Sequence, residues 1–335
     1  MPRLPVFLAF LPLLWTAPAL AEAPHVVASI KPVHSLVAGV MGEIGRPDLL
    51  VEGAASPHTY ALKPSDAASL GRARLVFWVG PALEGFLVKP LEAQARQAKR
   101  VALMEAPGLV LHGLRDGGVW EGHDHAHDHA HPPSSTHRHE SNSRVRRNTG
   151  RHDHSHGHAP AGERDAHVWL DPLNAIAMVK AIAAALGEVD PANAETYRRN
   201  ELALIARLDE LHVELRERLG LVQAAPFIVF HDAYQYFEKR YGLNAVGSIT
   251  LSPERQPGAR RVQEVRRKIA DLRPRCVFSE PQFESAIVRT VIEGSSLRSG
   301  VLDPLGVELP AGPEAYPALM RGVAASLIAC LAGTS

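Results

Sequence analysis

Short apolar segments alternate with helical segments on both sides of one long helix, and this alternation limits the possible folds more than any other feature of the chain. Strands that alternate with helices form parallel sheets covered by helices. The sequence therefore predicts an α/β protein with two Rossmann-like lobes. Strand-like runs bounded by turn residues occur at His25–Ser29, Asp48–Val51, Arg74–Val79 and Arg100–Met104, and again at Phe227–Phe230, Ala245–Thr250, Cys276–Ser279 and Gly300–Leu302.

The long helix is predicted between Ala192 and Leu219, in a segment rich in Ala, Leu, Glu and Arg that Gly220 closes. About 28 helical residues span roughly 40 Å, so this helix can be a rigid connection between two lobes. The helix before it is predicted to begin at Pro172, with Asp171 as N-cap. We expect an N-terminal lobe at residues 22–190, a linking helix at 191–220 and a C-terminal lobe at 221–335, with a cleft between the lobes.

The N-terminus has the features of a cleaved export signal. Arg3 precedes an apolar stretch from Leu4 to Leu20, and Ala19-Leu20-Ala21 is a small-x-small cleavage pattern. We expect cleavage after Ala21. No cysteine lies near that point, so a lipid anchor is not expected, and a freely diffusing protein stays near the cell only inside an outer membrane. The sequence therefore predicts the periplasm of a Gram-negative bacterium.

Charge and cysteine content narrow the possible partners. Lys plus Arg and Asp plus Glu each number 36, and a neutral chain favours neither nucleic acid nor an anionic membrane surface as partner.

The two cysteines are Cys276 and Cys330. In an oxidising compartment such a pair favours a disulfide over zinc ligation, because two thiolates without a partner motif make an incomplete zinc site.

Histidine is concentrated in one segment that has almost no aliphatic residues. Eleven of the 18 histidines lie between residues 121 and 158, where the chain cannot bury enough apolar area to fold. An array of imidazoles and carboxylates can chelate Zn²⁺, Ni²⁺ or Cu²⁺ without one fixed geometry. We therefore predict an inserted flexible loop that forms a secondary metal site. Its histidines are His123, His125, His127, His129, His131, His137, His139, His152, His154, His156 and His158.

Three other histidines occupy positions typical of a fixed site. His231 directly follows a strand-like run, His58 lies in a turn with Gly and Pro, and His167 begins a short apolar run. Ligands in open α/β sheets collect beyond the carboxyl ends of strands. Asp303 also follows a strand-like run, and three imidazoles with one oxygen would form a tetrahedral zinc site. Each such histidine taken alone is more often a core or turn residue, so this ligand set is a hypothesis.

Six motifs are spread over essentially the whole predicted mature chain. They are Gly53–Asp66, His167–Pro172, Val229–Tyr234, Gln256–Ala259, Phe278–Phe283 and Leu302–Gly306. Together they resemble the motifs of the periplasmic zinc-binding proteins of zinc ABC importers, which belong to the metal-binding cluster of solute-binding proteins.

This resemblance implies two α/β lobes bridged by a long helix, with zinc in the cleft and the histidine-rich loop near its mouth. The family's metal ligands correspond to His58, His167 and His231, and Asp303 matches the carboxylate that completes the site in many relatives. The resemblance also implies an inner-membrane ABC permease with its ATPase as partner, and Zn²⁺ as the transported ligand. We expect a monomer without enzyme activity.

One position departs from the family pattern. Several Gram-negative relatives have a glutamate immediately before the first histidine ligand, and this chain has Pro57 there, so the fourth position falls to Asp303 or water. Manganese prefers carboxylate-rich sites, whereas three imidazoles favour zinc. In addition, the manganese-type relatives carry a glutamate at the position where this chain has His231. A manganese receptor, a periplasmic zinc buffer and a zinc hydrolase with Glu280 as base remain as alternatives.

Overall fold

The structure is a computed structural model that describes residues 23–115, 164–250, 258–283 and 286–333. The predicted export signal with its cleavage point, and the histidine-rich segment between residues 121 and 158, lie outside the described residues.

The N-terminal sheet has four parallel strands in the order β2-β1-β3-β4. Alternate residues of β3 face opposite sides, as its pleat requires: Leu75 and Phe77 join the core toward the rest of the protein, whereas Val76 and Trp78 join a smaller outer cluster. Both faces are therefore covered by helices. The elements are β1 (Val26–Ala28), α1 (Lys31–Met41), β2 (Asp48–Leu49), α2 (Pro64–Arg72), β3 (Leu75–Trp78), α3 (Val88–Ala93) and β4 (Lys99–Ala102).

Two helices connect the sheets, α4 (Pro172–Val189) and α5 (Ala194–Leu219). The Asp171 carboxylate accepts a hydrogen bond from the Leu173 N–H, which confirms the predicted N-cap. By length and composition alone α4 could cross a membrane, but 56% of it is buried in the protein, which is typical of a core helix. The long helix is 26 residues, because a 3₁₀ turn precedes Ala194. It buries one stripe at helical spacing, formed by Tyr197, Leu204, Leu208, Leu211, Leu215 and Leu219.

The C-terminal sheet has the same topology as the N-terminal sheet, with four parallel strands in the order β6-β5-β7-β8. In β5, Phe227 and Val229 face the shared core, whereas Ile228 and Phe230 face an outer cluster. The predicted α/β fold with two parallel sheets and a long connecting helix is confirmed. The elements are β5 (Phe227–His231), α6 (Gln235–Tyr241), β6 (Ala245–Thr250), α7 (Ala259–Leu272), β7 (Cys276–Ser279), α8 (Ala286–Ile292), β8 (Arg298–Val301) and α9 (Ala315–Leu331).

One continuous core joins the two sheets. It contains the inward side chains of both sheets together with those of α1, α4, α5 and α9. Polar contacts reinforce it: Trp169 Nε1 donates to the Pro304 carbonyl at 2.9 Å, and the Tyr316 hydroxyl donates to the Trp169 carbonyl at 2.7 Å. Lys31 Nζ, at the start of α1, donates to the carbonyls of Gly306, Val307 and Leu309. The loop after β8 is therefore held from the N-terminal side.

Cys276 in β7 and Cys330 in α9 form a disulfide with a Cα–Cα distance of 6.2 Å, as predicted. The two residues are 54 positions apart. We expect the double variant Cys276→Ala/Cys330→Ala to lose about 4 kcal/mol of unfolding free energy, because the unfolded chain gains the freedom of an open loop of that length. Urea unfolding measures this loss, and the reduced wild-type protein is the matched control. Equal stability of the oxidised and double-variant proteins would contradict the expectation.

Candidate metal centre

Three imidazoles from three separate parts of the chain meet between the sheets. His58 lies in the loop between β2 and α2, His167 lies just before the 3₁₀ turn Val168–Leu170, and His231 is the last residue of β5. One ring nitrogen from each lies within 4.8 Å of the others. The Nε2 atoms of His167 and His231 are 3.4 Å apart. Two nitrogens that bind one tetrahedral zinc at about 2.0–2.1 Å are about 3.3 Å apart, so this spacing fits zinc.

The His58 ring is held in its neutral form. Burial, together with the smaller effect of charge repulsion from the neighbouring His167 and His231 rings, lowers the pKa of His58 from 6.5 to about 2. A neutral imidazole has the free lone pair that a metal requires. The zinc-free fold loses stability as the pH falls below 6.5, because the unfolded chain binds a proton that folded His58 does not.

Two buried carboxylates orient two of the rings. Asp165 Oδ1 accepts from His167 Nδ1 at 2.8 Å and from the His167 backbone N–H at 3.0 Å. Glu280 lies 2.8 Å from His231 Nδ1. Because ionised carboxylates only accept hydrogen bonds, each Nδ1 carries the proton, and each Nε2 lone pair is left for the cluster. Local sequence patterns did not predict these two contacts. The available signal for Asp165 was its acidic side chain two positions before the candidate ligand His167.

We expect Asp165→Ala and Glu280→Ala each to weaken zinc binding by about 10- to 100-fold, because the imidazole they orient becomes free to rotate or change tautomer. Competition with a zinc chelator measures the change. Asp209→Ala, on the exposed face of α5, is the matched control and is expected to bind zinc like the parent. If the Asp165 and Glu280 variants also keep the parent affinity, the carboxylates do not orient the ligands.

Asp303 has a different environment from the one predicted for a ligand. Its carboxylate accepts hydrogen bonds from the backbone N–H groups of Leu305, Gly306 and Val307, and from Gln282 Nε2 at 3.0 Å. Among the described residues, the cluster of potential metal ligands contains the three histidines and not Asp303. The carboxylate thus closes the loop after β8, and its assignment as fourth ligand stays a prediction.

The pocket around the imidazoles has largely apolar walls. Trp169 and Phe283 contact the rings, with centroids 5.3 Å from His167 and 5.8 Å from His231 respectively. Such walls limit access of water and strengthen electrostatic interactions inside the pocket. The remaining lining residues include Ser56, Pro57, Gln282, Pro304 and Leu305.

Two parallel α/β sheets joined by a long helix, with a three-imidazole cluster between them, define a metal-binding solute-binding protein. The sequence matches the family described as the periplasmic component A of zinc-uptake complexes over residues 26–330. The chain belongs to this family.

Relatives and solved structures agree with this assignment. A high-affinity zinc uptake system protein ZnuA from Brucella abortus (strain 2308) is 50% identical over 310 residues, which is 92% of each chain. The protein of the same name from Yersinia pestis is 34% identical and covers 91% of each chain. A crystal structure of ZnuA superposes with a TM-score of 0.69 at 22% identity, covering 91% of this chain and 100% of that chain. The last similarity concerns the fold alone.

Proposed function

We propose that this protein captures Zn²⁺ in the periplasm and delivers it to the permease of an ABC importer, whose ATPase drives uptake across the inner membrane. The observation that carries the proposal is the cluster of His58, His167 and His231, whose spacing suits zinc. Membership of a zinc-uptake family supports it. Zinc is then the transported ligand and not a catalytic cofactor.

The donor set favours zinc over manganese. Three imidazoles match the ligand preference of zinc, whereas manganese prefers carboxylate and carbonyl oxygens. Both carboxylates next to the cluster, Asp165 and Glu280, are engaged by Nδ1 atoms. The ligand set available to a metal is therefore rich in nitrogen.

A role in transport also explains Glu280 better than hydrolysis does. A zinc hydrolase needs a general base beside the metal-bound water. Glu280 instead lies against the Nδ1 atom of His231, which is the ring nitrogen that does not enter the cluster. We propose a non-enzymatic monomer, exported by a signal that is cleaved after Ala21.

We expect deletion of residues 121–158 to remove weak, multiple metal binding and to leave one tight zinc per chain. The sequence predicts a flexible loop there, and a flexible loop loses conformational entropy when it chelates, whereas a preformed cluster does not. The deletion should leave the fold intact, because the described residues on the two sides of the segment already contact each other. Gly113 and Arg164 form an antiparallel bridge, and the Asp165 N–H donates to the His112 carbonyl. Titration calorimetry of the full and shortened proteins gives the number of sites. Loss of the tight site in the shortened protein would place primary binding in the loop.

Delivery is tested with vesicles that contain the purified importer. The zinc-loaded shortened protein should support ATP-dependent zinc accumulation, and a variant with all three histidines replaced should not. A buffer would bind zinc without delivering it, so tight binding without any uptake contradicts the transport proposal.

A further inference from the structure

Gln282 has a buried oxygen that no described residue satisfies. The residue lies in the turn after β7 and lines the same pocket as His58, His167 and His231. Its Nε2 donates to Asp303 Oδ1 at 3.0 Å. Its Oε1 is buried and has no hydrogen-bond partner among the described residues. The Gln282 amide therefore has a nitrogen that already donates a hydrogen bond and an oxygen that is free to accept one.

The orientation of this amide is fixed by Asp303. An ionised carboxylate only accepts hydrogen bonds, so the nitrogen and not the oxygen of Gln282 must face it. Asp303 is itself held by three backbone N–H groups of the loop after β8. A flipped amide would place Gln282 Oε1 against Asp303 Oδ1, and two acceptor oxygens repel each other. The free acceptor thus has a defined position in the pocket wall.

A buried acceptor without a donor destabilises the fold, so its presence in a binding pocket indicates a donor that arrives with the ligand. Three imidazoles leave one coordination position of a tetrahedral zinc open. Pro57 offers no side-chain ligand, and the Asp303 oxygens already accept four hydrogen bonds. Water that binds zinc at the open position is polarised by the metal and becomes a strong hydrogen-bond donor.

We infer that Gln282 Oε1 accepts a hydrogen bond from a water molecule that fills the fourth coordination position of zinc. Gln282 is then a positioning residue for the bound ion, and Asp303 acts through it by orienting the amide. This inference rests on the proposed function, because it requires zinc at the three histidines.

The test compares Gln282→Leu with Asp303→Asn in the protein without residues 121–158. Leucine removes the acceptor and keeps a similar volume, whereas asparagine retains one oxygen that can still accept from the Leu305 and Gly306 N–H groups and from Gln282 Nε2. We expect Gln282→Leu to weaken zinc binding by about 10-fold or more, as for other residues that act through the ligands, and Asp303→Asn to weaken it less. The reverse order, or parent affinity in Gln282→Leu, overturns the inference.

A spectroscopic measurement separates this role from a structural one. Co²⁺ replaces zinc, and its visible spectrum is followed between about pH 6 and pH 10, where metal-bound water ionises. Water donates a better hydrogen bond than hydroxide, so loss of the acceptor should lower the midpoint by roughly half to one pH unit in Gln282→Leu. A parent spectrum that does not change with pH, or an unchanged midpoint in Gln282→Leu, overturns the inference. If the parent itself fails to bind one metal ion, the proposed function fails first.

Discussion

Replacing His58, His167 or His231 by alanine is expected to weaken tight zinc binding by about 100- to 1000-fold. Apparent binding free energies of structural zinc sites are about 10–16 kcal/mol, and loss of one ligand out of four removes a substantial share of this energy. Water can take the open position but is a weaker ligand than a buried neutral imidazole. Asp303→Ala is expected to have a smaller effect than any of the three histidine variants, because water can fill the fourth position of a tetrahedral zinc and the Asp303 carboxylate is engaged by backbone N–H groups.

The measurement is a competition titration against a zinc chelator in protein that lacks residues 121–158. Without this deletion, the histidines of the loop would mask the loss. His212→Ala is the matched control, because His212 lies on α5 and its ring contacts Tyr241 rather than the cluster. Parent affinity in the three ligand variants would show that the assigned site is wrong.

Trp169→Ala is expected to lower the unfolding free energy of the zinc-free protein by about 3–5 kcal/mol. Trp169 is 1% exposed and belongs to the core shared by the two sheets. The substitution leaves a large cavity next to His167 and removes the hydrogen bond from Nε1 to the Pro304 carbonyl.

Urea unfolding of zinc-free protein measures this effect, and Trp169→Phe separates its two components. Phenylalanine keeps most of the buried volume and loses the hydrogen bond, so we expect about 1–3 kcal/mol for that variant. Similar stability of the alanine variant and the wild type would contradict a rigid core that joins the lobes.

Most of the strands and helices could be predicted because they depend on local sequence features, such as apolar runs bounded by turn residues and capping residues. β6 and β7 begin and end at the predicted residues, and Asp171 caps α4 as its position before Pro172 indicated. Helix α8 was not predicted from the sequence. Its sequence, AIVRTVI, is rich in β-branched residues that favour strands, and burial of Val288 and Val291 at helical spacing stabilises a helix instead. Tertiary packing outweighs local propensity here.

The sequence also indicated which histidines the structure brings together, but not what surrounds them. His58, His167 and His231 follow or precede regular elements, and positions at strand ends converge in α/β sheets. The contacts of Glu280 and Gln282 depend on how loops from different strands meet, which no local spacing encodes. Asp303 is an example of a residue whose role the sequence does not decide. An aspartate directly after a strand can bind a metal, and it can also accept hydrogen bonds from the backbone N–H groups of the loop that follows, as Asp303 does.

The central claim is that the tight zinc site consists of these three imidazoles and an oxygen. Zinc K-edge X-ray absorption of the one-to-one complex, formed with the protein that lacks residues 121–158, tests it most directly. We expect three imidazole nitrogens and one oxygen, all at about 2.0–2.2 Å from the metal. A spectrum with fewer than three imidazoles, or with sulfur at about 2.3 Å, would contradict it.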